Sequence, residues 1–278
     1  MFGEHAVVYG KPGIAMAIKP RVFVTVRNTK RAQRAKSPYI DGCFEALGVM
    51  GSVYINSQIP SSSGLGSSAA VTVATLSAIN DEFSLHRTRE DIADMAFEIE
   101  KTVQKGRASP TDTTVSSYGG IVLISGGSRR RLPPQNIHLV IGDSLVSHST
   151  SKMVEQVSEL KVKHPAIVDP VLDAIEGVSL SAIHHLNNPK ELGRYMDMNH
   201  ALLEVLGVGH PQLGKMVLAA RSAGAFGAKI TGAGGGGCMI ALCPKPIKHR
   251  VASAIEACDA RAIITGIDTE GARKEKNV

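Results

Sequence analysis

Alternating apolar and polar residues predict the first two strands of the chain. They lie at 21–28, RVFVTVRN, and at 51–59, GSVYINSQI, and a basic, exposed connection is predicted between them. An alanine-rich apolar run follows a glycine- and serine-rich loop and predicts a helix from about Ser67 to Ile79. The chain therefore begins as a mixture of strands and helices.

A capping-box pattern predicts the next helix. Thr88 is followed three residues later by Asp91, and the apolar periodicity continues to about Gln104. A turn of small residues, GRASPTDTT, comes next. The apolar stretches YGGIVLISGG and NIHLVIGDS then predict two further strands.

The second half of the chain is predicted to be mostly helical. The helical pattern extends from Ser149 to Ala223, with breaks near Pro165, Gly177, Pro189 and Pro211. A strand at AKITG, a glycine run, a strand at CMIALCP, a helix near 246–258 and a strand at ARAIITGID complete the pattern. This order favours an α+β protein of two domains, 1–145 and 146–278.

Composition places the chain among globular proteins. It has 278 residues, of which 43% are hydrophobic and 20% charged. No apolar run of about 18 residues occurs, and MFGEHAVVYG lacks the features of a signal peptide, so a cytoplasmic protein with no membrane partner is expected. The cysteines Cys43, Cys238, Cys243 and Cys258 form no C-x-x-C pair, which favours reduced thiols over disulfides or zinc.

The formal net charge of +6 raises the question of a nucleic-acid partner. Aromatic residues that could stack on bases do not accompany the basic clusters. We therefore interpret the clusters as solvated loops and predict no nucleic-acid partner. Their members are Lys30, Arg31, Arg34, Lys36, Arg129–Arg131, Arg273, Lys274 and Lys276.

The loop PSSSGLGSSAA at 60–70 is typical of anion binding. Gly64 and Gly66 allow close approach of the backbone to a ligand, and the N-terminus of the following helix attracts phosphate. The segment also fits the dinucleotide pattern G-x-G-x-x-G/A, but NDEFSLHRTRED follows where that fold needs a buried strand with an acidic end. Because no G-x-x-x-x-G-K-[ST] occurs either, a phosphate loop of another type remains.

Two acidic residues are candidates for phosphoryl-transfer chemistry. On the helix DIADMAFEIEKTV, Glu100 borders the apolar face whereas Glu98 points to the opposite side, which makes Glu100 the better metal ligand. Asp112 lies in the small-residue turn and is a candidate base, although an isolated aspartate there is more often a turn or cap residue. A third feature, KITGAGGGGC at 229–238, indicates either a loop close to a ligand or a flexible turn.

Together these segments resemble a family. GEHAVVYG (3–10), PSSSGLGSSAA (60–70), GRASPTDT (106–113) and KITGAGGGGC (229–238), in this order, are similar to the motifs of the GHMP small-molecule kinases. The resemblance implies an N-terminal domain like domain 2 of ribosomal protein S5 and a ferredoxin-like C-terminal domain. It also implies ATP and Mg²⁺, and the form of GEHAVVYG is typical of members that phosphorylate mevalonate.

The same resemblance implies roles for individual residues. Asp112 would be the catalytic base, and Ser68 and Glu100 would hold magnesium. Residues implied to contact the ATP phosphates are Ser62, Ser63, Gly64, Leu65, Gly66, Ser67, Ser68, Gly234 and Gly235. Residues implied to line the mevalonate pocket are Glu4, His5, Ser109, Thr150 and Ala233. A homodimer is an open prediction.

The chain departs from the family pattern at two places. A turn of the type S-A-P-G-K, whose lysine assists the base, is expected about ten residues before GEH; we expect it upstream of Met1, the alternative being loss of that cation. One additional residue, Lys105, lies between Glu100 and Gly106, which leaves Glu98 as the second candidate metal ligand. Alternative functions are a kinase of another small alcohol, an ATP-binding sensor without turnover and a basic nucleic-acid-binding module.

Overall fold

The computed structural model describes residues 1–29, 36–60, 64–106, 108–147 and 149–275. Ser62 and Ser63, both implied to bind phosphate, lie outside the described residues. So do Lys30, Arg31, Arg34 and Lys276 of the basic clusters. Within the described part, helices and strands alternate irregularly and every paired strand is antiparallel. This arrangement confirms the α+β class.

The N-terminal half begins with a short 3-10 helix at Ala6–Tyr9. Its regular elements are β1 (Gly13–Met16), β2 (Val22–Arg27), α1 (Pro38–Leu47), β3 (Ser52–Ser57), α2 (Ser67–Glu82), α3 (Arg89–Val103), α4 (Thr111–Tyr118), β4 (Ile121–Ser125) and β5 (Ser128–Leu132). The strands form a sheet of order β1-β4-β5 and a separate pair β2-β3. Helices α1, α2 and α3 bury a common apolar cluster against the pair β2-β3, with Phe44, Leu76 and Ile99 among its members.

The C-terminal half is organised around one sheet of order β7-β8-β6-β9. Its elements are β6 (His138–Asp143), α5 (Thr150–Lys163), α6 (Pro165–Ile183), α7 (Pro189–Val205), α8 (Pro211–Ser222), β7 (Gly227–Ile230), β8 (Cys238–Leu242), a 3-10 helix at Lys245–Ile247, α9 (Lys248–Glu256) and β9 (Arg261–Gly266). Alternate residues of β6 enter different clusters, Val140 one and Leu139 with Ile141 another. The sheet is therefore covered on both faces.

Several predicted elements are confirmed. Helix α2 begins at Ser67 as predicted, and α3 follows a complete capping box between Thr88 and Asp91. All four cysteines are free and buried. Strand β6 precedes the predicted domain boundary at 145 but pairs with β8 and β9 of the C-terminal sheet. Among the described residues, no helix combines the length and apolarity needed to cross a bilayer.

Other predicted elements are wrong. The connection predicted between the first strands contains helix α1, and the turn predicted at GRASPTDTT leads into helix α4. The basic segment 129–131 is part of edge strand β5, where charged side chains are tolerated because one edge is open to solvent. Helix α6 continues through Gly177, an exposed position where glycine costs only about 1 kcal/mol of helix propensity.

Candidate active site

One large cavity, with a volume of about 1080 Å³, brings most of the candidate residues together. Its wall is built from the N-terminal segment, the start of α2, the end of α3, the start of α4, the start of α5 and the loop after β7. The candidate residues that line it are Glu4, His5, Gly64, Gly66, Ser67, Ser68, Glu100, Ser109, Asp112, Thr150 and Ala233. Residues distant in sequence thus share one open space.

The phosphate loop opens onto the cavity through the N-terminus of α2. Gly64 and Gly66 have φ values of +74° and +68°, and Gly66 is the N-cap residue of the helix. Gly66 has no side chain with which to cap this end, so the first-turn N–H groups suit an anionic ligand. Leu65 does not line this cavity and packs against an apolar cluster instead.

Ser68 and Glu100 meet in the cavity wall. The hydroxyl of Ser68 donates a hydrogen bond of 2.7 Å to Oε1 of Glu100. Glu100 is only 4% exposed, and burial raises its pKa to about 7, against the opposing effect of the Ser68 hydrogen bond and with a further contribution from Asp112. Glu98 points to solvent with 65% of its side chain exposed. The helical register therefore brings Glu100, not Glu98, to the site despite the additional Lys105.

Asp112 lies in the first turn of α4 and faces the same cavity. Its carboxyl packs against the phosphate loop, because a Cβ built on Gly66 would lie 3.2 Å from Cγ of Asp112. The side chain is open to the cavity, but the surrounding protein removes water from its other sides and raises its pKa; the Met1 ammonium opposes this shift and Glu4 adds to it. A raised pKa makes a carboxylate a better proton acceptor.

The N-terminal segment contacts strand β7 and the glycine-rich loop that follows it. Glu4 forms an ion pair with Lys229, and Nε2 of His5 lies 2.9 Å from the carbonyl oxygen of Ala233. Burial lowers the pKa of His5, against the effect of the Ala233 carbonyl. Two candidate substrate residues, Glu4 and His5, are thus held by strand β7 and by the loop that follows it.

Only part of the glycine-rich loop lines the cavity. Gly232 packs against Gly64 of the phosphate loop, and Thr231, Gly232 and Ala233 contribute to the wall. Gly234 and Gly235 do not line it, since Gly234 packs on Val208 and the N–H of Gly235 donates to the carbonyl of Val208 at 2.9 Å. The structure therefore does not bring these two glycines together with the other phosphate candidates.

Two further residues at the site have no assignment from the sequence. Tyr39 lines the cavity from helix α1, which the sequence pattern does not predict, so nothing points to it. Lys229 lies behind the wall in β7, where every residue is buried, and contacts Glu4. The sequence feature that could have pointed to Lys229 is a lysine within an otherwise apolar strand between two glycine-rich turns. Lysine is almost never fully buried without a partner, so such a position indicates a specific ion pair.

The oxygen donors of the site suit a hard divalent cation. Serine hydroxyl and carboxylate oxygens are typical magnesium ligands, and magnesium usually takes one or two protein ligands together with water and substrate phosphates. Among the described residues no group of three or more His, Cys, Asp or Glu side chains could hold a metal by itself. The pair of Ser68 and Glu100 beside a phosphate loop fits a cation that arrives with a nucleotide.

Comparisons with known proteins agree with this geometry. The family "GHMP kinases N terminal domain" matches residues 30–120, and "GHMP kinases C terminal" matches residues 179–260. Mevalonate kinase of Thermococcus sibiricus is 37% identical, covering 99% of this chain and 95% of the relative. Mevalonate kinase of Methanothermobacter thermautotrophicus is 38% identical, covering 88% of this chain and 87% of the relative.

Solved structures show the same fold. Mevalonate kinase of Methanococcus jannaschii superposes with a TM-score of 0.84 at 27% identity, covering 96% of this chain and 95% of that structure. The L. major mevalonate kinase in complex with R-mevalonate superposes with a TM-score of 0.85 at 24% identity, covering 98% and 94% of the two chains. At the latter identity the likeness is evidence for the fold alone.

Proposed function

The chain belongs to the GHMP kinase family, and we propose that it transfers the γ-phosphoryl group of ATP to mevalonate, giving 5-phosphomevalonate and ADP. The observation that carries the proposal is the convergence of a candidate base, a metal-type pair and a phosphate loop in one cavity. Phosphoryl transfer requires mainly positioning and charge stabilisation, and these groups supply both.

The nucleotide end of the cavity is the N-terminus of α2. Backbone N–H groups of Gly64, Gly66, Ser67 and Ser68 bind the phosphates, and the helix dipole favours their negative charge. Ser68 and Glu100 would hold Mg²⁺, which when bound neutralises charge on the phosphates. Burial of Glu100 matches this role, because a cation compensates the carboxylate that burial destabilises.

Beside the phosphate loop, Asp112 activates the acceptor hydroxyl. The carboxylate takes the hydroxyl proton, the hydroxyl oxygen forms a bond to the γ-phosphorus, and the bond to the β–γ bridging oxygen breaks to release ADP. Mevalonate is oriented by other residues that line the same cavity: Glu4, His5, Ser109, Thr150 and Ala233. The contact between Asp112 and Gly66 supports this mechanism, because the candidate base lies next to the phosphate loop.

Two alternatives are less well supported. A sensor that binds ATP without turnover has no use for a base beside the phosphate loop, yet Asp112 occupies that position. A kinase of another small alcohol would need a different acceptor segment, whereas the chain resembles mevalonate kinases over nearly its full length. A cytoplasmic location and a homodimer remain predictions from the sequence.

The proposal is tested by measuring ADP formation in a coupled assay with ATP and Mg²⁺. Mevalonate, phosphomevalonate, galactose and homoserine are compared as acceptors at equal concentrations. We expect turnover with mevalonate and only background with the other three. A clear preference for any of those three would contradict the assignment.

A further inference from the structure

Lys229 is a charged residue in the interior whose role the proposed function leaves open. Its side chain is 0% exposed, although ionised groups lose several kcal/mol of solvation when they enter a protein interior. The ammonium donates to the Glu4 carboxylate and, at 2.7 Å, to the carbonyl oxygen of Ile230. Burial lowers the pKa of Lys229, and the charge of Glu4 opposes that shift. The ion pair with Glu4 therefore offsets part of the cost of burying Lys229.

Glu4 is satisfied on one side only. Its Oε1 accepts from Lys229, but its Oε2 is buried and has no hydrogen-bond partner among the residues that the structure describes. Burial alone would raise the pKa of Glu4, but the charge of Lys229, with a smaller contribution from the Met1 ammonium, lowers it. A buried carboxylate oxygen without a donor is costly, and Glu4 lines the cavity. The ion pair with Lys229 therefore fixes a buried carboxylate at the wall of the cavity.

A second contact fixes the same segment in place. His5 follows Glu4 with a φ of +62°, a strained backbone conformation for a residue other than glycine, and its ring contacts the carbonyl of Ala233. The ion pair and this contact both connect the N-terminal segment to β7 and its following loop. The position of the Glu4 carboxylate is therefore determined from the C-terminal half of the chain.

We propose that Lys229 is a positioning residue for the phosphoryl acceptor, because its ion pair holds the Glu4 carboxylate at the cavity wall where the acceptor alcohol binds. The inference rests on the proposed kinase function, because that function places an acceptor alcohol in the cavity that Glu4 lines. Lys229 itself touches neither substrate. A purely structural ion pair would affect stability without distinguishing the two substrates.

The test compares the steady-state constants of four proteins: the parent chain, Lys229→Met, Glu4→Gln and the double variant. In both single variants we expect the KM for the acceptor to rise about tenfold or more, while the KM for ATP stays within about threefold. In the double variant the two increases in acceptor KM should not multiply, because both substitutions act through the same Glu4 carboxylate. Lys215→Met is the matched control, since Lys215 is a half-exposed lysine of α8 paired with Asp259.

Each outcome has a defined meaning. Equal changes in the two KM values, an unchanged acceptor KM, or multiplicative effects in the double variant would overturn the inference. If Lys229→Met does not fold, the double variant decides, because it leaves no buried charge unpaired, and a parent-like acceptor KM in it contradicts the inference. The acceptor is whichever alcohol the parent turns over, so failure of mevalonate contradicts the proposed function and not the role of Lys229.

Discussion

The hydroxyl of Ser68 donates to Oε1 of Glu100 across 2.7 Å and thereby joins the first turn of α2 to the last turn of α3. Ser68 belongs to the phosphate loop, so the pair sets the position of a cation relative to the phosphates. Glu98, two residues earlier on the same helix, is turned to solvent. The two glutamates therefore form a matched pair for testing the metal site.

We predict that Glu100→Gln raises the Mg²⁺ concentration needed for half-maximal activity, because an amide oxygen replaces a charged ligand. Part of the lost rate should return at high Mg²⁺. Glu98→Gln should behave like the parent protein. Initial rates over a Mg²⁺ titration at constant free ATP provide the measurement, and a larger metal effect in Glu98→Gln would show that the Glu100 assignment is wrong.

The same substitution should stabilise the metal-free protein at alkaline pH. The pKa of Glu100 is about 7 in the folded state against a reference value of 4.5, so the folded state binds more protons between these values. The stabilising contribution of Glu100 to the free energy of unfolding is therefore present below pH 4.5 and is lost as the pH rises through about 7. We expect Glu100→Gln to exceed the parent in free energy of unfolding at pH 8 by on the order of 2 kcal/mol, and by less at pH 5.

Urea unfolding in EDTA at the two pH values measures this difference. Glu98→Gln serves as the control for removal of a glutamate from α3, and it should show no comparable gain at pH 8. An equal effect of Glu100→Gln at both pH values would contradict the assigned cause, because that result requires no change in protonation.

Gly66→Ala should impair both ATP binding and turnover. The residue has a φ of +68°, and an added Cβ would lie 3.2 Å from Cγ of Asp112 and 3.3 Å from its Oδ2. Backbone strain alone is reproduced by Gly48→Ala, where φ is +64° and nothing lies within 4 Å of the added Cβ. We expect a comparable loss of stability in both variants but loss of kcat only in Gly66→Ala.

Calorimetric ATP titrations and kcat measurements separate these effects. If Gly66→Ala keeps the kcat and ATP affinity of the parent, the loop is not the phosphate site. Gly48→Ala shows how much of any change is caused by a general loss of stability.

Asp112→Asn tests the proposed base directly. An amide cannot accept the hydroxyl proton, so kcat should fall by about 10²–10⁴-fold. The KM for ATP and the dissociation constant for mevalonate should stay within a few-fold of the parent values, because asparagine keeps the size of the side chain. Near-parent turnover in a correctly folded Asp112→Asn variant would exclude this mechanism.

The parts of the fold that can be predicted are those in which local signals and burial agree. The capping box at Thr88 marks the start of α3, and the apolar periodicity of that helix by itself turns Glu100 inward and Glu98 outward. Ser67 is recognisable as the start of α2 because an apolar run follows a glycine-rich loop. Asp112 and Ser68 follow from the family resemblance, and the fold brings both to the cavity.

What the sequence does not predict depends on tertiary packing. Helix α4 consists mainly of Thr and Ser, which are weak helix formers, and it is stabilised by burial of Thr113, Thr114 and Val115. The ion pair of Glu4 and Lys229 joins residues more than 200 positions apart, and no local pattern indicates such a contact. The resemblance implies phosphate contacts for Gly234 and Gly235, but contacts with Val208 hold their backbone away from the cavity.

A buried histidine away from the cavity should make the protein sensitive to acid. His200 is 5% exposed, and its Nδ1 has no hydrogen-bond partner within the described part of the chain. Burial lowers its pKa from 6.5 to about 4, with smaller contributions from Arg221 and Lys229. The unfolded state therefore binds more protons between pH 6.5 and 4, and stability is lost as the pH falls through this window. We expect His200→Gln to lose less stability over that range, by on the order of 2–3 kcal/mol. Urea unfolding at several pH values measures it, with exposed His249→Gln as the control. Parallel pH profiles for His200→Gln and the parent would mean that another group causes the acid sensitivity.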